Sequence, residues 1–163
     1  MKKNNLITHI LASLLLYLLI VPQALASDYR ALQLRSYLEK VGSPMVGYET
    51  IMIKVAENHG LDWTLLAAIA GTESTFGKRM PHQCINPYGW GVYGQNKLCF
   101  TSFEDAIHKV GEGIGTKYNT SSLESIARKY NTVSTENWTS STRFFMNKIK
   151  SQEISAKNLP IKL

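Results

Sequence analysis

Apolar residues recur at three- and four-residue intervals along most of the chain, the spacing that lines one face of an α-helix. Ala31, Leu34, Leu38 and Val41 predict a first helix, stopped by Gly42 and Pro44. Tyr48, Ile51, Met52, Val55, Ala56 and His59 predict a second, with Gly60 just past its end as a C-terminal cap. Asp62 is placed to cap a third helix, the strongly apolar run from Leu65 to Glu73 and Ser74. Thr101-Ser102-Phe103-Glu104 fits a capping box and opens a fourth helix, with Phe103, Ala106, Ile107, Val110 and Ile114 on one face. Ser121-Ser122-Leu123-Glu124 repeats that box before a short helix ending near Tyr130. A last helix is expected from about Asn137 to Gln152, burying Trp138, Phe145 and Ile149 and leaving Lys148 and Lys150 outside. Only the stretch from Asn86 to Phe100 breaks the helical period, with turn residues around a short β-like pattern that predicts one small hairpin or ordered loop. The fold class is mainly α: a compact helical domain with one excursion beside Glu73.

The amino terminus follows a different pattern. Met1-Lys2-Lys3-Asn4-Asn5 precedes an apolar run from Leu6 to Val21, and Ala24-Leu25-Ala26 gives a small-x-small ending. Residues 1–26 therefore read as a secretory signal peptide, cleaved between Ala26 and Ser27. The competing reading is an uncleaved anchor, but the run is shorter than the ~20 residues a span needs and contains Thr8 and His9. Taking 26 from 163 leaves a chain of 137 residues, 27–163, which is about one domain, exported to a periplasm or secreted. Loss of Lys2 and Lys3 lowers the formal charge from +6 to +4, a bias suited either to an anionic partner such as a cell-wall polymer or lipid headgroups, or simply to a soluble basic surface. There is no run of basic residues and no nucleic-acid motif, so no nucleic-acid partner is expected. In an oxidising compartment Cys84 and Cys99, the only cysteines, are expected to form a disulfide across that non-helical stretch.

Glu73 is the residue that suggests chemistry. On a helix it shares a face with Leu66 and Ile69, so its neighbours would be apolar and its charged form disfavoured, which raises its pKa and suits it to general acid catalysis. The alternative is a solvated carboxylate at a helix end. Tyr88, Trp90 and Tyr93 alternate with glycines that let a ligand approach the backbone, and aromatic faces stack on sugar rings; packing of the same rings into a core is the alternative. His59, His82 and His108 lack metal-ligand spacing and no acidic cluster suggests calcium, so neither a metal nor another cofactor is expected.

The order Glu73-Ser74, then Asn86-Pro87-Tyr88-Gly89-Trp90-Gly91, then Phe103-Glu104-Asp105-Ala106, then Ala127-Arg128-Lys129-Tyr130-Asn131, then Trp138 and Phe145-Met146-Asn147-Lys148-Ile149, resembles the lysozyme-like superfamily. Within it the chain is similar to the soluble-type lytic transglycosylases and the bacterial glucosaminidases, which act on peptidoglycan. The resemblance spans roughly Tyr48 to Ile149 and implies a lysozyme-like helical fold with Glu73 as catalytic acid. Ser74 resembles the serine that follows the catalytic glutamate in the transglycosylases and helps orient substrate there; a polar helix-end residue is the alternative. Tyr130-Asn131 matches the transglycosylase Tyr-Asn pair across the cleft. Gly89-Trp90-Gly91 departs from the Gly-Leu-Met-Gln stretch of the transglycosylases and stands closer to the glucosaminidase pattern.

A second carboxyl would decide between mechanisms. Of the candidates, Glu104 is accounted for by its capping box, Glu112 falls on a polar helix face, and Asp105 reads as a solvated surface acid, so a single-acid mechanism is expected. The resemblance thus implies an exported enzyme cutting the MurNAc-GlcNAc bond of peptidoglycan strands, without cofactor. The alternatives are an N-acetylglucosaminidase-type hydrolase and a non-catalytic glycan-binding scaffold in an envelope-spanning secretion or assembly complex. A membrane-active toxin would need a strongly basic amphipathic helix, which the chain lacks.

Overall fold

The structure, a computed structural model, describes residues 29–91 and 98–159. The expected signal segment, and Tyr93 with it, lie outside the described residues. The chain falls into two units, Met1–Ala31 and Leu32–Leu163, and the helical fold is that of the second. Helix α1 occupies residues 32–40 of a helical stretch that starts at 29. It is followed by α2 (Glu49–Asn58), α3 (Leu65–Ser74), α4 (Phe103–Lys117), α5 (Leu123–Tyr130), α6 (Thr135–Lys150) and a final 3-10 turn, Ala156–Asn158. The expected mainly α class is what the structure has. Around the two cysteines the described residues form no strand; they make an isolated antiparallel bridge from Ile85 to Phe100, just past Cys99, in which the Phe100 N–H donates to the Ile85 carbonyl at 2.8 Å.

Helix α3 is the centre of the core. Every residue from Leu65 to Gly71 is buried, so this helix has no solvent face of its own until its last turn. It packs against α2 and α6, while α5 also packs on α6 and α4 on α2. The α3–α6 contact includes a part-buried polar pair, in which the hydroxyls of half-buried Thr72 and buried Thr142 lie 3.1 Å apart. Phe76, just beyond α3, buries its ring between Tyr37 and Phe145 in edge-on contacts at 5.4 and 5.0 Å. Phe145 itself is half-buried rather than enclosed, whereas Trp138 and Ile149 of α6 are buried as expected.

The helix starts differ from expectation by small, explicable steps. The cap of α4 is Ser102, whose hydroxyl accepts from the Asp105 N–H at 3.0 Å, and Asp105 reaches back to the Thr101 N–H at 3.0 Å. Ser102 and Asp105 are therefore the box, not Thr101 and Glu104, and Glu104 is simply exposed. The cap of α5 is Ser122, again one residue later, accepting from the Ser125 N–H at 3.1 Å, which frees Glu124 to pair with Arg143 of α6. Asp62 does not cap α3 directly. Its carboxylate accepts from the Thr64 N–H at 2.9 Å, organising the turn before Leu65, and meets Lys150 of α6 at 2.5 Å. The expected end of α2 holds, with the Leu61 N–H donating back to Ala56 at 2.9 Å around Gly60. No helix among the described residues is long and apolar enough to cross a membrane.

Candidate functional site

The C-terminal end of α3 opens into a cleft of about 360 Å³ lined by Glu73, Arg79, Met80, Pro81, Asn86 and Gly89. Among the described lining residues Glu73 is the only carboxyl. One of its oxygens, Oε1, accepts from the indole N–H of Trp138 in α6 at 2.7 Å. The other, Oε2, lies against Gly89: a Cβ built on that glycine would stand 2.7 Å from it, and the residue holds φ +59°. The carboxyl is thus clamped between a helix and a loop, and both contacts aim it at the cleft.

Burial raises the Glu73 pKa above the ordinary carboxyl value, and the Trp138 hydrogen bond opposes that shift without cancelling it. The position adds to the same tendency. The last turn of α3 carries the negative end of the helix dipole, which disfavours a carboxylate there. The site therefore holds an acid that keeps its proton to higher pH than a surface glutamate, with a single indole donor to receive the charge once the proton leaves.

An aromatic wall runs from Trp138. Tyr130 stacks on it at 4.9 Å with planes 28° apart, and Trp90 and Tyr118 follow, each 5.6 Å from the other and 5.6 and 6.1 Å from Tyr130 respectively. Trp90 lies across Gly113 of α4, where a Cβ would come within 2.6 Å of its ring. The Tyr130 hydroxyl donates to the Tyr88 carbonyl at 2.7 Å. Burial, and after it the nearby Glu73 charge, pushes the Tyr130 pKa well up, so the phenol stays neutral.

The expected substrate residues divide on this geometry. Glu73, Trp90 and Tyr130 are brought together. Asn131 caps the end of α5, its side-chain oxygen accepting from the Ser134 N–H at 2.8 Å, which turns the chain into α6. Tyr88 is not a stacking surface: its ring is completely buried, and its contribution to the site is its backbone carbonyl. Ser74 is also turned inward. Its buried hydroxyl lies 2.7 Å from the Pro87 carbonyl and 3.0 Å from the Ala70 carbonyl, and accepts from the Gly77 N–H at 2.8 Å, so it ties the helix end to the aromatic loop rather than facing a ligand. Trp138, read from the chain as a buried residue and as one of those that carry the resemblance but given no role at the site, is the hydrogen-bond partner of Glu73. Tyr118 and Arg79 carry no sequence signal that separates them from any exposed tyrosine or arginine.

The loop that presents Gly89 and Trp90 is built around buried Asn86. Its amide donates to the Trp90 and Leu98 carbonyls, both at 2.8 Å, and its oxygen accepts from the Trp90 N–H at 3.1 Å. The expected disulfide is present, joining Cys84 to Cys99 across a separation of 15 residues with Cα atoms 5.0 Å apart. Replacing both cysteines by Ser is expected to lower the unfolding free energy by about 3 kcal/mol, the loop-closure value for such a span. Far-UV circular dichroism of the folded variant should keep its helical signal, since the helices pack without the loop. An unchanged denaturation midpoint would show that Asn86 and the bridge to Phe100 hold the loop unaided.

Among the described residues no group of three or more His, Cys, Asp or Glu is gathered as a metal site. Glu112 is exposed, and Asp105 is engaged by Thr101 and by Lys109 at 3.0 Å, so neither is offered as a second carboxyl beside Glu73. No protein-family model matches the chain, and no curated protein or solved structure matches it either.

Proposed function

We propose that this chain cleaves the glycan strands of peptidoglycan as a lytic transglycosylase, with Glu73 as its single acid and base. The observation that carries the reading is the Glu73 carboxyl itself: raised in pKa by burial, alone among the described cleft-lining residues in being acidic, and held by Trp138 at 2.7 Å. A glycan-binding scaffold has no need of a carboxyl clamped in this way. The partly exposed ring of Trp90, with Tyr118 and Tyr130 against it, supports a saccharide ligand, because their faces suit the apolar faces of sugar rings.

In this mechanism the Glu73 carboxyl protonates the glycosidic oxygen between N-acetylmuramic acid and N-acetylglucosamine as the bond from C1 to that oxygen breaks. Positive charge develops at C1, where the sugar's own acetamido group assists in place of a second protein carboxyl. The Glu73 carboxylate then takes the proton of the C6 hydroxyl as O6 bonds to C1, which closes a 1,6-anhydro ring and restores the acid. No water is consumed.

The test is a digest of purified peptidoglycan in heavy-oxygen water, with mass spectrometry of the fragments. Unlabelled anhydromuramic ends, lighter by one water than hydrolysed ends, are expected. Labelled N-acetylglucosamine reducing ends would instead establish the glucosaminidase alternative, which Gly89-Trp90-Gly91 favours. An intact polymer would leave the scaffold reading.

A further inference from the structure

We infer that Arg79 is a specificity residue of the Glu73 cleft, whose guanidinium takes a carboxylate carried by the bound glycan, so that the site selects acidic over neutral strands. The inference rests on the glycan-cleaving reading and adds a partner for the one cation among the described lining residues of the cleft.

Arg79 reaches the cleft through an unusual piece of backbone. Thr75, Phe76 and Gly77 follow α3 with φ of 52°, 59° and 80°, all left-handed, and two of the three are not glycine. Strain of this kind persists only where the surroundings enforce it, and here the buried Phe76 ring and the Ser74 hydroxyl do so. The turn closes when the Arg79 N–H donates to the Ser74 carbonyl at 2.8 Å. A residue six positions beyond Glu73 is thereby folded back beside it.

The side chain that arrives there is uncommitted. The Arg79 guanidinium makes no hydrogen bond or ion pair with any described residue, whereas the neighbouring Lys78 ammonium is tied to the Val41 carbonyl at 2.6 Å. Nor is Arg79 the counter-ion of Glu73, whose titration is governed by burial and Trp138. A cation paired with that carboxyl would lower its pKa and spoil it as an acid. The remaining lining residues, Met80, Pro81, Asn86 and Gly89, are neutral, and Asn86 is occupied within its loop. Among the described lining residues the guanidinium is therefore the one charged group besides the Glu73 carboxyl. The planar fork of arginine matches a carboxylate in a two-bond contact that an ammonium does not reproduce.

Two carboxylates of a peptidoglycan strand are within the chemistry described: the lactyl group on the sugar, free once the stem peptide is removed, and the carboxylates of the stem itself. Binding is measured by calorimetry with the Glu73→Gln protein, which does not consume its ligand, against three probes: peptide-stripped strands, peptide-bearing strands and a neutral N-acetylglucosamine pentamer. At least one acidic strand should bind about tenfold tighter than the neutral pentamer. Adding Arg79→Gln should erase that preference while leaving the pentamer affinity unchanged, and Arg79→Lys should restore part of it. Which acidic strand is preferred identifies the carboxylate, lactyl or stem. A preference that survives Arg79→Gln, or an equal loss for acidic and neutral probes, overturns the inference while the glycan reading stands. Binding to none of the three overturns both.

Discussion

Glu73→Gln is expected to remove nearly all cleavage, by a factor of about a thousand or more, while the fold and glycan binding survive. The amide keeps the size of the carboxyl and its oxygen still accepts from the Trp138 indole, but it has no proton to give the leaving oxygen. Cleavage within about tenfold of the wild type, a barrier change of ~1.4 kcal/mol, would exclude Glu73 as the acid. The same substitution has a signature independent of activity. Because the folded pKa of Glu73 lies above its unfolded value, the folded state binds more protons in the interval between the two, so stability falls as pH rises through that interval. The glutamine variant has no such group and loses that slope. Its thermal midpoint relative to wild type should therefore be higher at pH 7 than at pH 4, and a difference of the opposite sign would mean that the carboxylate is stabilised where it stands.

Much of this arrangement was readable from the chain, because helical periodicity is a direct consequence of burying one face. The α3 pattern, apolar through Gly71 and then carrying Glu73, gives the buried core helix and a carboxyl residue in its last turn. Caps were harder to locate. At Thr101-Ser102 and Ser121-Ser122 two adjacent residues offer the same hydroxyl, and the chosen register depends on what lies elsewhere: Asp105 with Lys109 in one case, Glu124 with Arg143 in the other. Lys109 sits one turn along the same helix from Asp105, but Arg143 comes to Glu124 from another helix, a partner that local sequence cannot supply.

The site residues divide on the same principle. Tyr88 and Trp90 are two apart in an irregular loop, where no period says which ring faces inward; Asn86, by binding the Trp90 and Leu98 backbone, decides it, and Tyr88 is enclosed. Ser74 follows Glu73 by one residue and so turns about 100° away on the helix, toward Pro87 and not toward the cleft. Trp138 lies 65 residues from Glu73, and only the packing of α3 on α6 reveals that its N–H meets the carboxyl. Arg79 depends on three consecutive left-handed residues, two of which, Thr75 and Phe76, are poor candidates for that conformation on sequence grounds.

Gly89→Ala should disable the site without unfolding the protein. The new methyl carbon would sit 2.7 Å from Glu73 Oε2, well inside contact distance, so the carboxyl must move, and its Trp138 bond on the other oxygen must lengthen or break. Displacement of a catalytic group by about 1 Å costs on the order of 100-fold in rate, and that is the expected loss. The left-handed backbone at φ +59° adds a stability cost of about 1 kcal/mol for any residue with a Cβ, and this has to be separated from the effect on the carboxyl. Gly91→Ala does so. Gly91 has a similar φ of +66°, but its Cβ would meet Leu98 at 3.1 Å and does not touch Glu73. The two variants should lose comparable stability in thermal unfolding, yet only Gly89→Ala should lose cleavage. Equal activity losses in both would mean that loop strain, and not the position of the Glu73 carboxyl, sets the rate.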